Sequence, residues 1–269
     1  MKPIKSSFRD LRSLFENSIT VHSISEKLEC CDAGEDAAVV RKRLEVLDYD
    51  VLGVKENKQI SGFVERKNLG AGCCRKFLQV FHPSQLIAES TPLIDLLLIL
   101  RDPPRMFVLE KNKVTSIVTK GDLKKAPVRM LLFGLITLLE MNMQRLIQIH
   151  YPNDLWQKFL WPKRLEDAER LLHERQVRDE DIGLIDCLQF LDKRLIVLRS
   201  HQIREKIKVR SKTEGELQLK AIEDLRNKLA HAQDLVGGSS WKKVIDLVNS
   251  IEILIQHCEE AVASRASKI

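Results

Sequence analysis

No two cysteines in this sequence have the Cys-x-x-Cys spacing that, with matching histidines, would announce a structural zinc site. The six are two vicinal pairs, Cys30-Cys31 and Cys73-Cys74, and the singletons Cys187 and Cys258. His22, His82, His150, His173, His201 and His257 also lack metal-ligand spacing, so no metal is expected. Unpatterned cysteines and the lack of a secretory signal predict a cytoplasmic chain with free thiols. The apolar runs Leu93–Leu100 and Met130–Leu139 are too short to span a bilayer, and both read as buried helices. Gly/Ser-rich stretches are missing too, which predicts domains packed together, not loosely tethered.

What is present describes an ordinary globular protein. The chain has 269 residues, 44% hydrophobic and 30% charged, enough for two domains. Its net charge of +6 is compatible with an anionic partner such as RNA without requiring one. Tyr151-Pro152-Asn153-Asp154, followed by Trp156, Trp161 and Pro162, marks the expected boundary between residues 1–150 and 151–269.

The first region reads as α+β. Residues before about Ser18 suggest a short lead-in helix. A βαββα unit (about 18–80) then begins at Ile19–Ile24. Its helix lies near Glu35–Leu47, its strands at Val51–Val54 and Ile60–Val64, and a closing helix near Asn68–Leu78. The order recurs over about 81–150. Leu86–Ala88 is a strand, Pro92–Leu100 a helix, Met106–Leu109 and Val114–Thr119 a hairpin, and a helix runs from about Val128 to His150. Without gaps, Val51–Leu69 aligns with Arg105–Leu123, placing Val54 on Val108, Glu56 on Glu110 and Val64 on Val118. Matched periodicity about the same turn is an internal repeat, and two such units should pack on each other.

The second copy contains Ser116-Ile117-Val118-Thr119-Lys120-Gly121-Asp122. This repeat resembles a tandem pair of CBS (cystathionine-β-synthase-type) modules. The resemblance implies a bound adenine nucleotide (AMP, ADP or ATP), with Thr119 contacting phosphate and Asp122 both ribose hydroxyls. An anionic two-acceptor carboxylate suits a vicinal diol. The first copy departs from the pattern: Glu65 stands where the hydroxyl residue belongs and Asn68 where the acid does. One competent site per pair is therefore expected. A bare dimerisation scaffold is the alternative.

Residues 151–269 read as helical: Leu165–Val177, Ile182–Val209, Glu214–Val236 and Trp241–Ala263. Short connections suggest an antiparallel four-helix bundle. From Ala221 onward, Ile222, Leu225, Leu229, Ala232 and Val236 form an apolar stripe. Glu223, Asn227 and His231 lie opposite, with Asp234 beside them and Arg226 flanking. The pattern Arg226-Asn227-x-x-x-His231 is similar to the signature of the HEPN superfamily, many of whose members are metal-independent ribonucleases. A merely solvated helix face is the other reading.

By that resemblance Arg226, Asn227 and His231 are the candidate catalytic residues, completed across a homodimer. Histidine can act as acid and base on the 2′-hydroxyl and leaving oxygen, and arginine holds the phosphate. The products would carry a 2′,3′-cyclic phosphate and a 5′-hydroxyl. Family analogy adds toxin or anti-phage roles, with an antitoxin or a nucleotidyltransferase as partner. The alternative is a non-catalytic, nucleotide-binding sensor or scaffold.

Overall fold

The computed structural model describes residues 10, 11, 13, 14 and 18–266. The expected lead-in helix lies largely outside the described residues. The chain divides into two compact units, one of residues 14–128 and one of residues 129 onward that also takes in Asp10, Leu11 and Ser13; the second division therefore falls between Val128 and Arg129. That point is inside the helix Ala126–His150, well before the Tyr151–Trp161 break on which the sequence reading relied.

The first unit is α/β. A three-stranded sheet has the order β2-β3-β4, with β2 (Cys30–Asp32), β3 (Val51–Glu56) and β4 (Gln59–Glu65). A four-stranded sheet has the order β1-β7-β6-β5, with β1 (Glu26–Lys27), β5 (Leu86–Ala88), β6 (Arg105–Glu110) and β7 (Lys113–Thr119). In each, a parallel strand leads into an antiparallel hairpin. The repeat extends to irregularities of register: β3–β4 shifts at Val54/Lys55 and β6–β7 at Val108/Leu109, the positions the gapless alignment superposes.

Both hairpins turn on two residues with positive φ, Asn57 and Lys58 in one and Lys111 and Asn112 in the other. This is the pattern whose twist matches the strands, and it favours Asn-Gly. A lysine there is strained by roughly 1 kcal/mol. Lys58→Gly, which completes Asn-Gly, is therefore expected to raise stability by about 0.5–1 kcal/mol in urea unfolding.

Helix α1 (Ala37–Leu47) starts where the Asp36 carboxylate accepts the N–H groups of Ala38 (2.8 Å) and Val39 (3.2 Å). Ala37, Val40 and Leu44 are its buried face, and they join Leu52, Val54 and Val64 in one core. Leu47, which shares the helical spacing of Ala37, Val40 and Leu44, is nevertheless exposed at the end of the helix. The two sheets share a second core in which the rings of Phe63, Phe81 and Phe107 meet with centroids 4.7–5.7 Å apart, so the copies do pack together. Helix α2 (Leu93–Ile99) buries Leu93, Ile94, Leu96 and Leu97.

Two expectations fail in this unit. Ile19–Ile24 is not a strand but holds a 3-10 turn, Val21–Ser23, pinned by Val21 N–H to Thr91 O (2.9 Å). Asn68–Leu78 is not a helix: it contains only short 3-10 turns at Arg66–Asn68 and Cys74–Phe77. Gly70 and Gly72, the latter at φ +119°, break the helical path between them. Gly62 has a different reason to be glycine, because a Cβ there would meet the Gln79 carbonyl oxygen at 2.2 Å.

The second unit is helical. It comprises α3 (Ala126–His150) from Arg129 onward, α4 (Pro162–Gln176), α5 (Phe190–Arg199), α6 (His201–Lys206), α7 (Lys212–Ala230) and α8 (Trp241–Ala266). By length and composition α3 could cross a membrane, but 56% of its most apolar window is buried. The expected single helix Ile182–Val209 is broken. Ser200 stops α5 and caps α6, its hydroxyl accepting the Ile203 N–H (3.2 Å) and bonding the Tyr151 hydroxyl (2.6 Å). The bundle thus has more pieces than the four expected.

Its hub is α5, which buries the consecutive charges Asp192, Lys193 and Arg194 at 2–5% exposure. Successive residues of a helix point about 100° apart, so the three reach different neighbours. Asp192 takes both prongs of Arg164 on α4 (2.7 and 2.8 Å). Lys193 pairs with Glu140 on α3 (2.8 Å). Arg194 pairs with Glu216 (2.6 Å) and Glu223 (3.2 Å) on α7.

Candidate functional site

Strand β7 ends at Thr119, and a 3-10 turn, Lys120–Lys124, follows. Thr119 Oγ1 accepts the Gly121 N–H (3.1 Å). Asp122 Oδ2 accepts the N–H of Thr119 (2.7 Å) and its hydroxyl (2.9 Å), closing a capping box. Asp122 Oδ1 pairs with Lys125 Nζ at 2.6 Å. Lys125 also donates to Ile24 O (2.6 Å) and to Glu26 Oε1 (2.8 Å). Burial pulls the Lys125 amine down, but the bonds to Asp122 and Glu26 more than offset it, and its pKa is raised. The ammonium therefore stays charged at neutral pH, and on the alkaline side the bridge is lost only above the ordinary lysine range.

Thr119 and Asp122, paired by sequence reasoning, thus lie together in the structure. They line a cavity of about 620 Å³ with Tyr49, Arg105 and Lys125 among its walls. That size lies within the range of small-molecule sites. Asp122 already receives three donors, and a carboxylate offers about four lone-pair sites. It has room for one further donor directly, and a second requires Lys125 to let go.

A second cavity of about 520 Å³ surrounds Glu65, the counterpart of Thr119 in the repeat. Glu65 pairs with Arg105 and with Lys67 (3.1 Å), and it accepts from Asn68 Nδ2 (3.2 Å). Burial raises the Glu65 carboxyl, but Lys67 and Arg105 outweigh this and hold its pKa below the usual range. Where its counterpart offers a hydroxyl, this position holds an ion pair. Arg105, Lys125 and Glu26 escaped the sequence reading. Arg105 was findable, because it falls opposite Thr119 in the hairpin register and on Val51 in the repeat.

The second candidate group lies at the end of α7. The helix stops at Ala230, not Val236, and His231 is its C-cap, with its N–H on Asn227 O (3.1 Å). Ala232 has φ +53° and is exposed, so it leaves the apolar stripe. Asn227 and His231 are exposed, Arg226 is half-buried, and Arg226 Nη1 lies 3.4 Å from Asn227 Oδ1. Glu223 is not part of that polar face, because it turns inward to Arg194. Asp234 accepts the Gly237 N–H (3.0 Å). No local signal points to Arg129, which donates to the carbonyls of Lys228 (3.2 Å), Leu229 (3.5 Å) and Gln233 (3.1 Å). A cation on these carbonyls suits the negative end of a helix.

The described cysteines are free thiols, and burial pushes Cys31 and Cys258 up to about 12. Among the described residues no three His, Cys, Asp or Glu side chains group to hold a metal ion.

No family model and no curated protein matches the sequence. Among solved structures, a protein ascribed to acetoin utilization in Vibrio cholerae is similar at 14% identity, over 42% of this chain and 93% of its own, with TM-score 0.37. The CBS-pair protein CBSX2 of Arabidopsis thaliana is similar at 16% identity, over 41% of this chain and 95% of its own, with TM-score 0.36. Its complex with AMP matches at the same identity and TM-score, over 97% of that chain.

Proposed function

We propose that the α/β unit is a CBS-type sensor that binds one adenine nucleotide (AMP, ADP or ATP) at Thr119 and Asp122. On this reading the chain works as a ligand-responsive homodimeric scaffold. The observation that carries it is the convergence of a hydroxyl and a buried carboxylate, 2.9 Å apart, on a cavity of about 620 Å³. The second cavity, closed by Glu65 and Arg105, takes no nucleotide. Calorimetric titration of the intact chain with AMP tests this. One site per chain is expected, and no heat at millimolar ligand defeats the proposal.

A second reading is favoured by the exposure of His231 and Asn227 at the end of α7, beside Arg226. On it, two such ends face each other in the homodimer and cleave RNA without a metal, under control of the bound nucleotide. Incubation with RNA in chelator is expected to leave 2′,3′-cyclic phosphate ends, and His231→Ala to slow cleavage about 100-fold or more. Intact RNA after long incubation, or cleavage that survives His231→Ala, rejects this reading and leaves the scaffold.

A further inference from the structure

The cavity around Thr119 and Asp122 has little positive charge to offer. Five carboxylates and four cations line it. Three of those cations are engaged within the protein. Lys120 Nζ donates to the carbonyls of Arg101 (3.2 Å) and Asp102 (3.3 Å). Lys125 is held by Asp122 and Glu26. Arg105 lines this cavity and the neighbouring one, and its guanidinium is paired with Glu65.

The Glu65–Arg105 pair is a departure from the repeat at both of its ends. The counterpart of Glu65 is Thr119, and the counterpart of Arg105 is Val51. Both side chains are shielded, at 15% and 18% exposure, so the charges act on each other through little solvent. Arg105 is also the cross-strand partner of Thr119. Its charge is therefore placed beside the residue assigned to phosphate, yet committed elsewhere.

We propose that Glu65 sets the charge of the accepted ligand: by occupying Arg105, it makes the Thr119–Asp122 cavity select a nucleoside monophosphate over a triphosphate. This rests on the nucleotide reading given above. Each added phosphate brings negative charge that five carboxylates repel and Arg105 is not at liberty to meet. Glu65 is here a positioning residue, acting through Arg105.

Magnesium-free calorimetry with AMP and ATP, on wild type, Glu65→Gln and Arg105→Gln, tests the proposal. The wild type is expected to bind AMP about tenfold or more tighter than ATP. Glu65→Gln frees Arg105 and should shrink that ratio about fivefold, through tighter ATP binding with AMP little changed. Arg105→Gln takes a cation from the cavity wall and leaves Glu65 with Lys67 as its remaining charged partner, and should widen the ratio, an opposite sign that mere loosening of the fold would not produce. Equal ratios in all three proteins, with AMP still bound, overturn this inference and leave the nucleotide site standing. Failure of the wild type to bind either nucleotide removes both.

Discussion

Asp192→Ala is expected to lower the unfolding free energy by about 3–5 kcal/mol, a large share of the roughly 5–15 kcal/mol that holds a domain folded. The carboxylate is 2% exposed and takes both prongs of Arg164. It also accepts the Gln189 N–H at 2.9 Å, closing the first turn of α5. Alanine strands a guanidinium and a backbone donor together, and stranded partners cost more than the bond itself contributed. The double change Asp192→Leu with Arg164→Met removes both charges and should recover most of the loss, since an apolar pair replaces a buried ion pair at little cost. Urea unfolding measures both. A loss below about 1 kcal/mol for Asp192→Ala would show that α5 does not depend on this contact.

Asp122→Ala is expected to weaken AMP binding by about 2–3 kcal/mol, roughly thirty- to a hundredfold. The same change removes the acceptor for the Thr119 N–H and hydroxyl, so a stability loss of about 1 kcal/mol should accompany it. The two roles separate experimentally. Asp122→Asn retains the side-chain size and one acceptor oxygen, and should spare most of the stability while still losing affinity. Undiminished AMP binding by Asp122→Ala would move the ligand elsewhere in the chain.

The repeat was legible because hairpin periodicity survives in single residues such as Val54 on Val108; that both hairpins shift register at these positions was not legible, and only the structure shows it. Thr119 and Asp122 were legible through the resemblance to CBS modules, which rests on a short local motif; the capping box that joins them is what the structure adds. The pair Glu65–Arg105 was not, since its members are 40 positions apart and meet only once two sheets have formed. The helical unit misled for another reason. Asp192, Lys193 and Arg194 look like a solvated patch in a linear string, and only the surrounding helices make them interior. The sequence therefore directed attention to α7, while α5 is the element the others enclose.

The position of the unit boundary has a practical consequence for anyone seeking to dissect the protein. It falls within a continuous helix, not in a strand of exposed chain that a protease could nick. A fragment ending at His150 would carry Leu131, Leu132, Leu135, Ile136, Leu139 and Met143, all buried in the whole chain, out into water. Such a fragment should aggregate. A fragment of residues 14–128 keeps the α/β unit and sheds that surface, and is the better choice for testing the proposed nucleotide binding on that unit alone.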